Sequence, residues 1–275
     1  MLGNFVFDID GAMAIMIDSK AEKVEKEVRD KFGDVFWEKH CLMAKYPHYI
    51  FPGYYALFKW LHINGGKIFF FSSGLEIRNV ELAAKMMEKA FGEAVSEVPY
   101  KVFSRQHCVD TSSPYWAPPN PEAEKYKTFF HGQRKKVLAG IVVPEEEIAN
   151  TLLIDDDTSY MVKGEEYNFI SLRYAHEYLH DGYRNDGFTH FHPAYYLAGL
   201  FSTLFDLRET KGMTLVEAAK FVQIDSEGAV LSRDFFYPSR KKIDFYLKGH
   251  QILSQIDPTL GFYYELPQGG DEEDD

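Results

Sequence analysis

The sequence predicts an α/β fold in which a parallel sheet is flanked by helices and is followed by a helical C-terminal extension. Short apolar runs alternate with helical segments up to about residue 173, and this alternation is typical of parallel α/β sheets. The runs lack polar alternation, which indicates strands that are buried on both faces. Beyond about residue 180 the strand-like runs stop and helical periodicity takes over.

Five apolar runs are the predicted strands of the sheet. They cover residues 4–9, 67–71, 98–103, 151–154 and 168–172. Helices are predicted between and after them, at residues 54–63, 75–91, 145–149, 193–207, 214–222 and 241–255. The first of these helices begins after the break at Phe51-Pro52-Gly53 and is closed by Gly65-Gly66, because glycine is the favoured residue just beyond a helix C-terminus.

The segment between the first strand and the break at Phe51 is predicted to hold one long amphipathic helix. Residues 18–45 are rich in Lys, Glu and Ala, and their apolar residues recur with helical spacing. These apolar residues are Val24, Val28, Phe32, Val35 and Phe36. The insert, residues 12–50, is therefore too small for a large cap domain over the sheet.

The predicted organisation has three parts. Residues 1–180 form the core with its helical insert, residues 181–267 form the helical extension, and residues 268–275 form an acidic tail. The tail is expected to be disordered, since it is highly charged and nearly devoid of apolar side chains. The extension could dock an unknown partner, but the sequence does not identify one.

The composition excludes several classes of function. The net charge is −12, which disfavours binding to nucleic acids and to anionic membranes. No stretch is long and apolar enough for a transmembrane segment, and the N-terminus lacks the features of a signal peptide. The two cysteines, Cys41 and Cys108, imply no disulfide framework and favour a reducing, cytoplasmic compartment. The high aromatic content and the extension would also suit a secreted effector that acts in a host cytosol.

Polar side chains follow three of the predicted strands. Asp8 and Asp10 end the first strand, Ser72 follows the second, and Asp155 to Asp157 follow the fourth. Because ligands of open parallel sheets bind beyond the carboxyl ends of the strands, these groups can converge. Phosphoryl transfer needs such a set: an anionic nucleophile, a neighbouring acid–base group, donors for the phosphoryl oxygens and a hard cation such as Mg²⁺. Clustered carboxylates by themselves predict a cation.

Three motifs resemble those of the haloacid dehalogenase (HAD) superfamily, over about residues 4–173. FVFDIDGAM resembles the first motif, IFFFSSGL the second and TLLIDDDTSYM the fourth. FPGYYALFKWL, VFSRQHCVD and the strand that begins at Asn168 are similar to segments of its magnesium-dependent phosphoprotein phosphatases, which include polymerase carboxy-terminal-domain phosphatases and small tyrosine phosphatases. The resemblance implies a Rossmann-like sheet and a phosphatase that passes through a phospho-aspartyl intermediate.

The resemblance also implies roles for individual residues. Asp8 would be the nucleophile and a magnesium ligand, and Asp10 would be the general acid–base with its backbone carbonyl on the metal. Ser72 would bind the phosphoryl group, with Ser73 in support, and Asp156 would be the third protein ligand of the metal. Asp155 would anchor a lysine or a metal-bound water. Lys136 is the preferred lysine because of its distance ahead of Asp155, and its rivals are Lys135, Lys127 and Lys125.

One position departs from the family pattern. The first motif usually continues with Thr or Val after its glycine, whereas this chain has Ala12, which removes a restraint on Asp10.

The small insert implies an open site and hence a phosphorylated protein or peptide as substrate. Tyr115 and Trp116 could flank a phenyl ring, which favours phosphotyrosine over phosphoserine or phosphothreonine.

Three alternatives remain. The site could hydrolyse a small metabolite or a lipid headgroup, or the fold could bind a peptide without catalysis, for which Ala12 is weak support. The third alternative is a zinc protease, because His176-Glu177-Tyr178-Leu179-His180 matches the H-E-x-x-H signature, with His190 or His192 as a third ligand. The extended glycine and histidine spacing of one large group of such proteases is absent.

Overall fold

The fold is α/β, with a parallel sheet flanked by helices and a C-terminal helical part. The computed structural model describes residues 3–17, 25–26, 29–30, 33–110, 134–172, 193–223 and 240–260. In the described residues the strands are β1 (Gly3–Phe7), β2 (Ala14–Met16), β3 (Cys41–Met43), β4 (Pro47–Ile50), β5 (Gly66–Phe71), β6 (Tyr100–Phe103), β7 (Val109–Asp110), β8 (Arg134–Lys135), β9 (Thr151–Asp155) and β10 (Phe169–Ser171). The α-helices are α1 (Asp34–His40), α2 (Tyr54–Ile63), α3 (Glu76–Phe91), α4 (Pro193–Lys211), α5 (Leu215–Gln223) and α6 (Arg240–Ile256). Within the same described residues, four 3₁₀-helices cover Gly92–Glu97, Arg105–His107, Glu145–Asn150 and Thr158–Tyr160.

The main sheet has five strands in the order β10-β9-β1-β5-β6, and every pair is parallel. β1 is central, with Val6 opposite Phe69 on one side and Leu153 on the other. All five residues of β1 are buried, as expected for a strand with helices on both faces. The five strands that the sequence predicts are confirmed, with bounds that differ by a few residues, and helix α2 has the predicted bounds.

The insert between β1 and α2 differs from its prediction. A single long helix over residues 18–45 is wrong, because β2, β4 and β3 form a three-stranded antiparallel sheet in that order. The helix α1 begins only after Gly33, whose φ of 85° lies outside the helical region and is tolerated by glycine. Cys41 is already extended, and the ring of Tyr49 on β4 stacks on Phe36 of α1 with centroids 5.8 Å apart. Cross-strand and aromatic packing therefore override the helical pattern at the end of this segment, where Cys41–Met43 form β3.

The C-terminal helices share one hydrophobic cluster with the sheet. The first nine residues of α4 are all buried, and the ring of Phe201 lies 4.8 Å from that of Phe5 on β1. Helices α4 and α6 cross at two glycines: a Cβ at Gly199 would overlap the backbone of Phe245, and one at Gly249 would overlap the backbone of Tyr195. Among the described residues, no helix has the length and apolar character needed to span a membrane.

This crossing predicts that the sheet depends on the C-terminal helices for stability. Gly199→Ala should lower the free energy of unfolding by about 2 kcal/mol or more, because the added methyl group forces two backbones apart. Ser202→Ala, on the same helix and only half-buried, is the control and should change stability by less than about 0.5 kcal/mol. Urea denaturation measures both values, and equal stability of the two variants would contradict the tight crossing.

Candidate functional site

Three strands of the sheet deliver polar side chains to one edge. Asp8 follows β1, Ser72 follows β5 and Asp155 ends β9, and these strands are immediate neighbours. The strand hydrogen bonds continue to these residues, since Asp8 N donates to Ile154 O at 2.8 Å and Ser72 N donates to Phe103 O at 3.1 Å. All three side chains are buried. The parallel sheet therefore brings together groups that are up to 147 residues apart in sequence, as the distance from Asp8 to Asp155 illustrates.

Asp8, Asp155 and Asp156 form an acidic cluster that could hold a metal ion. One carboxylate oxygen from each residue lies within 4.8 Å of the others. Burial, together with the neighbouring carboxylates, raises the pKa of Asp155 to about 7 and that of Asp156 to about 8. Burial likewise raises the pKa of Asp8 well above its usual value. Three oxygen donors with surplus negative charge are the ligand set that a hard divalent cation prefers, so the residues present fit Mg²⁺.

The turn after β1 makes room for this cluster. Gly11 has a φ of 83°, and a Cβ at this position would overlap the carboxylate of Asp156. A side chain at residue 11 would therefore displace one of the candidate metal ligands. Tyr54 of helix α2 also restrains this turn, because its hydroxyl donates to the carbonyl oxygen of Ala12 at 2.8 Å. This bond reaches the backbone, so it restrains the turn although Ala12 has no hydroxyl of its own.

Lys136 bridges two of the carboxylates. Its Nζ donates to Asp8 Oδ1 at 2.6 Å and to Asp155 Oδ2 at 2.5 Å, and the lysine is fully buried. Burial alone would lower the lysine pKa, but Asp155 and Asp8 outweigh it and raise that pKa, which keeps the ammonium charged. The structure thus brings Lys136 to the cluster. Asp155 also accepts a hydrogen bond from Asp157 N at 2.9 Å, so it anchors the lysine and its own turn.

Of the three rival lysines, only Lys135 lies among the described residues, and its ammonium contacts a backbone carbonyl. Lys135 Nζ donates to the carbonyl oxygen of Ser159 at 2.6 Å, and burial lowers the pKa of Lys135 to about 8. Lys125 and Lys127 lie outside the described residues, as do Tyr115 and Trp116. The H-E-x-x-H segment at residues 176–180, with His190 and His192, also lies outside them.

Asp10 faces a different environment from Asp8. Its side chain is 39% exposed, lies outside the acidic cluster and accepts a hydrogen bond from Ser72 Oγ at 3.1 Å. Ser72 Oγ in turn accepts a hydrogen bond from Gly74 N at 3.1 Å. The side chain of Asp10 therefore does not belong to the acidic cluster. The predicted contact between its backbone carbonyl and a metal ion stays a prediction.

Two site residues were missed from the sequence. Arg78, in the first turn of α3, forms a two-pronged ion pair with Asp10, in which Nη1 donates to Oδ1 at 3.0 Å and Nη2 donates to Oδ2. Tyr160 is the second: its ring centroid lies 4.4 Å from Lys136 Nζ, and its hydroxyl donates to Ser73 Oγ at 2.7 Å. The only sequence signal for either residue is its closeness to a predicted site residue, because Arg78 is six residues after Ser72 and Tyr160 is five after Asp155.

The fold and the site define an α/β protein with a buried acidic cluster at the carboxyl edge of its parallel sheet, which is a candidate metal site. Comparison with protein-family models and with curated proteins finds no match. The resemblance to the HAD superfamily consequently rests on the three motifs and on the site that they form.

The acidic cluster predicts a specific response to magnesium. Millimolar Mg²⁺ should raise the melting temperature of the protein by roughly 2–5 °C, because the cation relieves repulsion among buried carboxylates. Asp156→Asn should abolish this rise, yet leave the metal-free protein at least as stable as the wild type, since it removes one of the repelling charges. Asp206→Asn, which alters a surface carboxylate paired with Lys248, should retain the full rise. A rise of equal size in Asp156→Asn would place the metal elsewhere.

Tyr160 and Ser73 should be energetically coupled. Tyr160→Phe and Ser73→Ala each remove the 2.7 Å hydrogen bond between them, so a double-mutant cycle should give a coupling free energy of about 1 kcal/mol in urea denaturation. Tyr160→Leu should cost more than Tyr160→Phe, because it also removes the ring that faces the Lys136 ammonium. Strict additivity of the two single variants would show that the bond contributes nothing.

Proposed function

We propose that the protein is a magnesium-dependent phosphomonoester hydrolase with Asp8 as its nucleophile. The observation that carries this proposal is the close approach of a buried carboxylate, an ammonium and a candidate cation site: Asp8, Lys136 and the Asp155–Asp156 pair. Nucleophile, charge stabiliser and metal ligands are the parts that phosphoryl transfer through an aspartate requires. The resemblance of the three strand-end motifs to HAD phosphatases points to the same reaction.

The proposed reaction has two steps, both on this chain's own residues. An oxygen of Asp8 attacks the phosphorus atom, the bond between phosphorus and the ester oxygen breaks, and Asp10 gives its proton to the departing oxygen. Asp10 then takes a proton from a water molecule, whose oxygen attacks the same phosphorus atom and breaks its bond to Asp8. One water is consumed, inorganic phosphate is released, and both aspartates return to their initial state.

The remaining residues supply binding and electrostatics. Asp8 and Asp156, with the backbone carbonyl of Asp10, would hold Mg²⁺, which would offset the repulsion between the anionic nucleophile and the phosphate dianion. Lys136 keeps Asp8 fixed in direction through the 2.6 Å hydrogen bond and adds a positive charge beside the phosphoryl oxygens. Ser72 Oγ is a hydroxyl donor next to Asp10, suited to one phosphoryl oxygen.

A phosphorylated protein or peptide is the proposed substrate, with phosphotyrosine favoured. The exposure of Asp10 beside buried Asp8 supports a site in which only the phosphoryl group is enclosed, while the leaving group stays near the surface. Such a site suits a phosphate that is presented on a macromolecule. A small metabolite or a lipid headgroup is the second candidate, because the antiparallel sheet β2-β4-β3 adds more structure to the insert than a lone helix would.

The first test is hydrolysis of an aryl phosphate. Turnover should require magnesium, stop with a chelator, and fall by roughly a thousandfold or more in Asp8→Asn, because an amide cannot form the covalent intermediate. Asp206→Asn should retain wild-type turnover. Phosphotyrosine, phosphoserine and phosphothreonine peptides and small phosphate esters are then compared by kcat/KM.

Two outcomes would redirect the assignment. Magnesium-dependent turnover that survives intact in Asp8→Asn would reject the aspartate mechanism. Absence of turnover by folded, magnesium-loaded protein on every substrate would favour the non-catalytic peptide binder, and peptide cleavage that requires zinc would favour the protease.

A further inference from the structure

Arg78 lies where a phosphoryl group would meet Asp10 and Ser72. Its guanidinium contacts both oxygens of Asp10, and Nη2 lies 3.3 Å from Ser72 Oγ. The arginine side chain is only 13% exposed, so it is largely enclosed at the mouth of the site.

The surrounding structure holds this arginine in place. A Cβ at Gly74 would overlap the Arg78 guanidinium, so the path of the side chain depends on glycine at that position. Asn79 Oδ1 accepts hydrogen bonds from Arg78 Nε at 3.2 Å and from Nη2 at 2.8 Å. Asn79 is fully buried and is fixed by donating to Ser104 Oγ at 3.0 Å. Arg78 is therefore pre-organised, and a binding group that is held in advance loses little conformational freedom when a ligand arrives.

The charges of the site need a second cation from the protein. With a divalent metal bound, the ionised carboxylates of Asp8, Asp155 and Asp156 would carry three negative charges, of which Lys136 offsets one and the metal would offset two. Arg78 offsets the charge of Asp10 while that carboxylate is ionised, and it leaves the site net positive for a phosphate dianion once Asp10 carries the proton of the proposed reaction. Without Arg78 the dianion would meet no net positive charge, and an ionised Asp10 would repel it at short range in a poorly solvated site.

We propose that Arg78 is a phosphate-binding residue of this site, an inference that rests on the proposed function. The planar fork of a guanidinium matches two oxygens of a phosphoryl group, just as it now matches the two oxygens of Asp10. Arg78 and Ser72 form a pair of adjacent donors that both point at Asp10 in the absence of a ligand. Phosphoryl oxygens that take over these donors release Asp10 for its proton transfer.

The test is direct binding of inorganic phosphate to the magnesium-loaded protein, measured by isothermal titration calorimetry. Arg78→Gln should weaken phosphate binding roughly tenfold to a hundredfold, because it removes a charged two-pronged donor. Arg78→Lys, which keeps the charge and loses the fork, should fall between Arg78→Gln and the wild type. Arg29→Gln is the matched control and should bind phosphate as the wild type does, since Arg29 pairs with Glu25 and Asp34 instead of a site carboxylate.

Each outcome bears on a different statement. Wild-type phosphate affinity in Arg78→Gln, with the magnesium-induced rise in melting temperature intact, would overturn the role of Arg78 and leave the proposed function standing. If the magnesium-loaded wild type fails to bind phosphate at all, both the role of Arg78 and the proposed function would be overturned. Should Arg78→Gln not fold, the comparison between Arg78→Lys and the wild type decides, with equal affinities counting against the proposal.

Discussion

The structure depends on the electrostatic pairing of Lys136 with Asp8 and Asp155. All three side chains are buried, and an unpaired charge in such a position costs several kcal/mol. One ammonium cannot neutralise both of these carboxylates and that of Asp156 as well, so the pocket retains negative charge that a cation can relieve. The same imbalance that makes the pocket costly to fold makes it suited to a divalent metal. Stability and binding capacity therefore have one physical origin.

The position of Lys136 is fixed by backbone contacts from the segment after β9. Lys136 N donates to Tyr160 O at 3.2 Å, while Glu165 accepts hydrogen bonds from Leu138 N and Ala139 N, each at 3.0 Å. Strand β8 has only two residues and could not hold the lysine by itself. The aspartates come from the core of the sheet, whereas the lysine follows a short strand and is held by contacts with the turns after β9. Tyr160 is consequently part of the site, because it positions Lys136 although it does not contact the candidate metal ligands directly.

The sequence predicts the main-chain framework and the acidic cluster because both follow from simple periodicity. Apolar runs define the parallel strands, and a parallel sheet sends the residue after each strand to a common edge, so Asp8, Ser72 and Asp155 could be expected to meet. Arg78 and Tyr160 could not be expected, since their contacts depend on side-chain paths, such as the space left by Gly74. The prediction for the insert failed for a related reason: helical spacing over residues 18–45 is a local signal, whereas the pairing of β2 with β4, which joins Met16 to His48, is not local.

The two aspartates of the first motif lie in different environments, which suit the two chemical tasks that we propose for them. Asp8 and Asp10 are two residues apart, but the chain turns at Gly11, so their side chains do not share one environment as they would on a continuous strand. Asp8 is 5% exposed and faces an ammonium and two carboxylates, whereas Asp10 has a 39% exposed side chain and faces an arginine and a hydroxyl. A nucleophile gains from a fixed direction and exclusion of water, while a proton carrier needs access to the leaving group and to water. The turn at Gly11, held through Ala12 by Tyr54, gives each carboxylate an environment that suits its proposed task.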